Sequence, residues 1–171
     1  VTSTNTEAHT FGFDFKPNAT QGACVLGYIG ANRETNINID SNGYIGVFNG
    51  TTQIITTTTK PLAGWNRLRL TFTRDTNFYK LYLNKTLLGT SGYQLQVFGM
   101  FSIGGGLEPA KNAVSVEFRN VVHWTTALSA EEITDDFNND ILKSSLSFFN
   151  PLNSTPTSTF ENYGATSQRR L

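Results

Sequence analysis

The strongest constraint on this chain is a rhythm of short alternating stretches, each cut off by a turn signal. Thr10 to Lys16 reads TFGFDFK: Phe11, Phe13 and Phe15 alternate with Gly12 and Asp14, and Pro17 stops the run. A period of two places the three phenylalanines on one face of a strand. Asn36 to Asp40 alternates around Ile37 and Ile39 and runs into Ser41-Asn42-Gly43. Asn-Gly accepts the positive φ angles of a tight hairpin, so Tyr44 to Phe48 is expected to return antiparallel. Asn49-Gly50 repeats the signal before Gln53 to Thr59. WNRLRLTFT, Trp65 to Thr73, sets Leu68, Leu70 and Phe72 on one face and Arg67, Arg69 and Thr71 on the other. Tyr79 to Leu83 comes back with Leu81 and Leu83 inward, and Asn84-Lys85 makes the next turn before Leu87-Leu88. Ala23 to Ile29 and Val97 to Ile103 are continuous apolar runs, as in strands covered on both faces. Gly104-Gly105-Gly106 follows, and then Val114, Val116 and Phe118 alternate with Ser115, Glu117 and Arg119.

Strands this short and this regularly punctuated predict an all-β fold, a two-sheet antiparallel jelly-roll sandwich. One short C-terminal helix is expected. Ser129 is a suitable N-cap, and Glu132 at the third helical position completes a capping box. Ile133 and Phe137, one turn apart, would pin this helix to the sandwich. From Ser144 the chain turns rich in Ser, Thr and Pro. The reading is therefore a domain over 1–143 and an extended tail or linker over 144–171, with Leu146 to Phe149 able to dock as a strand.

Composition narrows the function. At 171 residues the chain fits one domain. Lys+Arg and Asp+Glu are both 13, so bulk attraction to nucleic acid or to an anionic membrane is not expected. No run reaches the roughly 20 apolar residues needed to cross a bilayer, which argues against membrane insertion. The single cysteine, Cys24, lies in an apolar run and reads as a small buried hydrophobe. The polar start at Val1 reads as a processed or excised piece of something longer. Four N-x-S/T sequons, at Asn18, Asn49, Asn84 and Asn153, match the roughly four that 17 Asn, 24 Thr and 12 Ser produce by chance, so they are no mark of secretion.

The order of motifs resembles a known family. A hairpin at Ser41-Asn42-Gly43, a strand headed by Gly64-Trp65, the KLYLNKT turn, IGGG, and VEFRNVVHW followed by ALSAEEI together resemble the laminin-G-like branch of the concanavalin A-like lectin/glucanase superfamily. There is a fainter likeness to the lectin-like modules of sialidases and trans-sialidases. The resemblance spans about Thr10 to Asn139. It implies a domain that binds rather than catalyses, with glycans or glycoproteins as partners and an extracellular place, or one on the surface of a cell or virion. Calcium is the one cofactor it leaves open.

Candidate binding residues follow from side-chain chemistry. Arg67 and Arg69 project from one side of their strand, and Glu117 and Arg119 from one side of another. Guanidinium forks suit the carboxylate of an acidic sugar. The competing reading makes these arginines solvent-facing partners of Glu117 or Asp75. Tyr44, with Tyr28, Tyr79 and Tyr93, could supply an aromatic platform for a neutral sugar, whereas Trp65 and Trp124 read as core. Asp40 and Asp75, both in turns, are the best candidates for a calcium site. His9 and His123 stand apart in the sequence and make no zinc pattern. Catalysis is not expected. The E-x-D-x-x-E strand of related glucanases is missing, and the acids Glu131, Glu132, Asp135 and Asp136 read as the solvated face of the helix. The leading expectation is thus a non-catalytic module for carbohydrate recognition or adhesion. The alternative is a building block of a viral shell, phage fibre or surface filament, making contacts to neighbouring subunits through 144–171.

Overall fold

The computed structural model describes residues 8–17, 24–29, 35–73, 78–92, 101–103, 116–139, 141 and 144–152. Eleven strands and one helix follow in chain order: β1 His9–Lys16, β2 Cys24–Ile29, β3 Thr35–Ile39, β4 Ile45–Asn49, β5 Thr52–Ile55, β6 Asn66–Thr73, β7 Phe78–Leu83, β8 Thr86–Ser91, β9 Phe101–Ile103, β10 Glu117–Trp124, α1 Ala130–Asn138 and β11 Leu146–Asn150. They form two antiparallel sheets. A six-stranded sheet has the order β11-β10-β1-β6-β7-β8, and a five-stranded sheet the order β5-β4-β3-β2-β9. This is the two-sheet β-sandwich with one short helix that the alternation predicts.

Turn chemistry sets the hairpins. Gly43 takes a φ of 81°, while Asp40 Oδ1 accepts the backbone N–H groups of Asn42 and Tyr44 at 2.8 and 2.9 Å. Asn84 and Lys85 both take positive φ, 49° and 71°, as a two-residue hairpin loop between paired strands requires. Asn84 also accepts the backbone N–H of Arg67 at 2.7 Å, which ties this turn to the start of β6.

Between the sheets lies a core in which Phe11, Phe13 and Phe15 of β1 and Leu68 and Leu70 of β6 meet Leu26, Ile37, Ile39, Ile45, Val47 and Ile55. Each such side chain contributes about 1.5–3 kcal/mol on burial. Cys24 belongs to the same core, where burial pushes its thiol pKa up to about 11.

The outer face of the six-stranded sheet departs from expectation. A one-sided alternation leaves the second face to solvent, but here Tyr82, Val122 and Trp124 on that face pack under Leu128 and Ile133. The capping box forms as predicted: Ser129 N–H donates to Glu132 Oε2 at 2.8 Å, and Glu132 N–H donates to Ser129 Oγ at 3.2 Å. Ile133 is buried, whereas Phe137 stays exposed with Lys85 Nζ 5.5 Å from its ring centre. Asp136, read as solvated, is fully buried. It takes Arg69 Nε at 3.0 Å through its carboxylate, and its backbone carbonyl accepts Arg67 Nη1. Asp14 of β1 closes the network with Arg67 Nε at 3.0 Å and Arg69 Nη1 at 3.6 Å.

The Arg67/Arg69 face is therefore neither open nor paired with Glu117, because the helix sits on it. Burial lowers the Arg69 pKa, and the charges of Asp136 and Asp14 oppose that shift. Gly12 makes room for this arrangement. A Cβ there would lie 2.1 Å from the Leu68 carbonyl oxygen and 2.8 Å from Arg69 Cδ.

The docking strand expected after Ser144 forms over Leu146–Asn150. β11 joins the sheet beside β10, with Val121 paired to Asn150 and His123 to Phe148. His9 and His123, distant in sequence, meet across β1 and β10. His123 Nε2 lies 3.2 Å from His9 Nδ1, and Ser147 Oγ of β11 contacts His123 Nδ1. Gly104-Gly105-Gly106, Asp75 and Tyr93 lie outside the described residues.

Two outcomes follow. Asp136→Asn leaves buried Arg69 without its main counter-charge and should lower unfolding free energy by about 3–5 kcal/mol in urea titration. The exposed neighbour change Asp135→Asn should stay within about 0.5 kcal/mol. Equal effects would mean that the network does not hold the helix. The second concerns pH. Burial, and His9 beside it, hold the His123 pKa down at about 4, against an ordinary value of 6.5. The unfolded chain thus binds the extra proton first, so stability is full above about pH 6.5 and falls as pH drops towards 4. Melting temperature should decline from pH 6.5 to 5, and His123→Gln should flatten that slope. A native profile already flat over this range would contradict the assignment.

Candidate functional site

One end of β6 and the middle of β10 come together beside the network. Asn66, at the head of β6, is completely buried and folds the preceding loop around its amide. Its Oδ1 accepts Leu62 N–H at 2.8 Å, and its Nδ2 donates to the carbonyls of Leu62 and Gly64 at 2.8 and 2.9 Å. The loop so held delivers Trp65 to the surface, half-buried.

A bulge in β10 brings the polar partners. Gly12 pairs with Val122 but Asp14 pairs with Arg119, so β10 carries one residue more than β1 across this step. Asn120 sits there at a φ of 52°, a backbone conformation Asn adopts more readily than most residues. The extra residue re-aims the strand. Phe118 and Val121 both reach the sandwich core, and Arg119 is turned onto Trp65.

The guanidinium carbon of Arg119 stands 4.0 Å from the Trp65 ring centre, in a cation–π stack. Arg119 Nε is 3.6 Å from Asp14 Oδ2, beyond hydrogen-bond reach, and is buried without an acceptor. The Asn120 amide donates to the same Asp14 oxygen at 2.8 Å. Glu117 is drawn to Lys16, 2.8 Å away. The far wall comes from the segment after β11, where Asn120 N–H donates to the Pro151 carbonyl at 3.3 Å and Leu152 N–H donates to Asn150 Oδ1 at 2.9 Å. Together Trp65, Glu117, Phe118, Arg119, Asn120, Pro151 and Leu152 line an open pocket of about 590 Å³.

The residues expected to bind are thus split. Glu117 and Arg119 meet in this pocket. Arg67 and Arg69 lie under the helix, Arg69 only 1 % exposed. β1 separates β6 from β10, and its Asp14 pairs with arginines from both. Tyr44 is elsewhere, half-buried with Lys60 Nζ 5.4 Å from its ring centre. Tyr79, weighed as a sugar platform, is fully buried. Asp40 uses Oδ1 in its turn, and among the described residues no three His, Cys, Asp or Glu side chains converge as a metal site.

Trp65, assigned to the core from sequence, is instead the floor of the pocket, whereas Trp124 is core. Asp14 and Asn120 were not singled out. Asp14 did carry a signal, being an acid in mid-strand on the face that TFGFDFK turns away from its phenylalanines.

A second surface offers different chemistry. On the outer face of the five-stranded sheet, Tyr28, Asn36 and Phe48 stand opposite one another across three strands, all half-buried. Asn38 donates to Asn36 Oδ1 at 3.0 Å. None of these side chains is charged.

No protein-family model and no curated protein sequence matches the chain. Solved structures do. A proposed carbohydrate-binding protein from Bacteroides ovatus superposes with a TM-score of 0.72 at 14 % identity, over 96 % of this chain and 52 % of that one, so this chain spans about half of its length. A Trypanosoma rangeli sialidase mutant displaying trans-sialidase activity gives 0.60 at 19 % identity, over 75 % of this chain and 22 % of that one. The CBM40 of a Ruminococcus gnavus IT-sialidase, bound to α2,3-sialyllactose, gives 0.52 at 16 % identity, over 78 % of this chain and 84 % of that one. The likeness is one of fold: these proteins and this chain share a β-sandwich.

Proposed function

We propose that this domain is a non-catalytic glycan-binding module whose ligand seats against Trp65. The observation that carries the reading is the pocket itself, where an indole ring stands beside a guanidinium, a carboxylate and an amide. A sugar presents an apolar C–H face and a rim of hydroxyls. An aromatic face bordered by a few fixed polar groups suits both. The carbohydrate-binding proteins of similar fold support the same class of ligand. The laminin-G-like assignment, glycoprotein partners, a role in adhesion and an extracellular or surface location belong to this proposal. In it, binding at Trp65 runs without calcium.

The alternative of a structural block that grips neighbours through 144–171 draws less support. Leu146–Asn150 is already committed to the domain's own sheet, and Pro151 and Leu152 to the wall of its own pocket.

Glycan-array screening followed by calorimetry tests the proposal. Trp65→Ala should weaken the best array ligand at least about tenfold, roughly 1.4 kcal/mol. Tyr44→Ala, away from the pocket, should leave it unchanged. Circular dichroism should show both variants folded. An array with no binder, or full affinity in Trp65→Ala, would refute it.

A further inference from the structure

The charges around the pocket do not balance, and the imbalance falls on one side chain. Beneath the helix, two carboxylates answer two guanidiniums: Asp136 takes Arg69 Nε at 3.0 Å, and Asp14 takes Arg67 Nε at 3.0 Å. At the rim Lys16 answers Glu117 at 2.8 Å. Among the described residues Arg119 is the charge left over. Its nearest carboxylate oxygen, Asp14 Oδ2, is 3.6 Å from Nε and already accepts the Asn120 amide at 2.8 Å and Arg67 Nη2 at 3.3 Å. Asp14 is thus shared among three arginines and cannot neutralise each of them.

The left-over guanidinium is held ready. The Arg119 guanidinium carbon lies over the Trp65 ring, 4.0 Å from the centre, and buried Nε is 3.6 Å from Asp14 Oδ2. The side chain nevertheless remains 43 % exposed. Neither Nη atom has a hydrogen-bond partner among the described residues. Two parallel N–H donors fixed in a plane match the two oxygens of a carboxylate. Stacking on the indole reduces the side-chain entropy that such a contact would otherwise cost. Glu117, 63 % exposed beside it, adds an acceptor for hydroxyls and disfavours a second negative group there.

From this we infer that the pocket selects an acidic sugar, with its carboxylate held by the Nη edge of Arg119 and its ring against Trp65. The inference rests on the glycan reading of the pocket and narrows it to one chemical class.

Calorimetry at low and moderate salt with four probes tests it: methyl glucuronoside, its methyl ester, methyl glucoside and glucose 6-sulfate. The glucuronoside should bind at least tenfold more tightly than its ester or the glucoside, and salt should erode that margin. Arg119→Gln should erase the margin, bringing the glucuronoside down to the affinity of its ester. Arg119→Lys should recover only part of it, because a lysine keeps the charge without the fork. Unchanged melting temperature and far-ultraviolet circular dichroism would show that the variants keep the fold. Acid and ester binding equally, with Trp65 still required, would overturn the acidic-sugar inference and leave the glycan reading standing. A margin that survives Arg119→Gln would overturn the role of Arg119. Tighter binding of the sulfate than of the glucuronoside would replace the carboxylate with a sulfate. Loss of all binding to any sugar would overturn both.

Discussion

The buried ion network of Asp14, Arg67, Arg69 and Asp136 is the interaction on which the rest of the molecule depends. A two-sheet sandwich needs only one buried face per sheet, and its core of Phe, Leu and Ile supplies that. The network commits the other face of the six-stranded sheet as well. With guanidiniums planted in mid-sheet, the helix must bring Asp136 to Arg69, and Ile133 and Leu128 then cover Trp124 and Val122. Desolvating such charges is expensive, and the pairing repays that cost only while every partner is in place. The capping box at Ser129 sets where the helix starts and hence where Asp136 falls.

The same network shapes the pocket. Asp14 is its hinge, joining the arginines under the helix to Asn120 and Arg119 on β10. The bulge that turns Arg119 onto Trp65 falls where Asp14 meets β10. The charges under the helix and those at the pocket are therefore one system. Three described carboxylates, those of Asp14, Asp136 and Glu117, face four cations, those of Arg67, Arg69, Lys16 and Arg119. The three that are closely paired leave the fourth at the surface.

Much of this fold could be read in the sequence because period-two alternation and Asn-Gly turns are local signals. TFGFDFK, WNRLRLTFT and Ser129 with Glu132 each predict their own element. What stayed hidden is the product of long-range pairing. Arg67 and Arg69 alternate properly away from the core, and nothing in WNRLRLTFT says that a helix more than sixty residues later will cover them. Asp136 is chemically indistinguishable from its exposed neighbour Asp135 until the helix is docked. Strand order was equally unreadable, since β1, the first strand, separates β6 from β10. Trp65 misled for a simpler reason: a tryptophan next to a strand usually packs inward, and here Asn66 folds the loop so that its ring reaches the surface.

The molecule then presents two surfaces of different chemistry: a charged pocket at Trp65 and Arg119, and the uncharged row Tyr28, Asn36 and Phe48 on the other sheet. Titrating isotope-labelled protein with a uronic-acid glycoside, followed by nuclear magnetic resonance, separates them most directly. The Trp65 indole N–H, the Arg119 Nε–H and the Asn120 amide should shift together and saturate with one affinity, while Tyr28, Asn36 and Phe48 stay still. Shifts confined to Tyr28, Asn36 and Phe48, with Trp65 and Arg119 unmoved, would contradict binding at the Trp65 pocket.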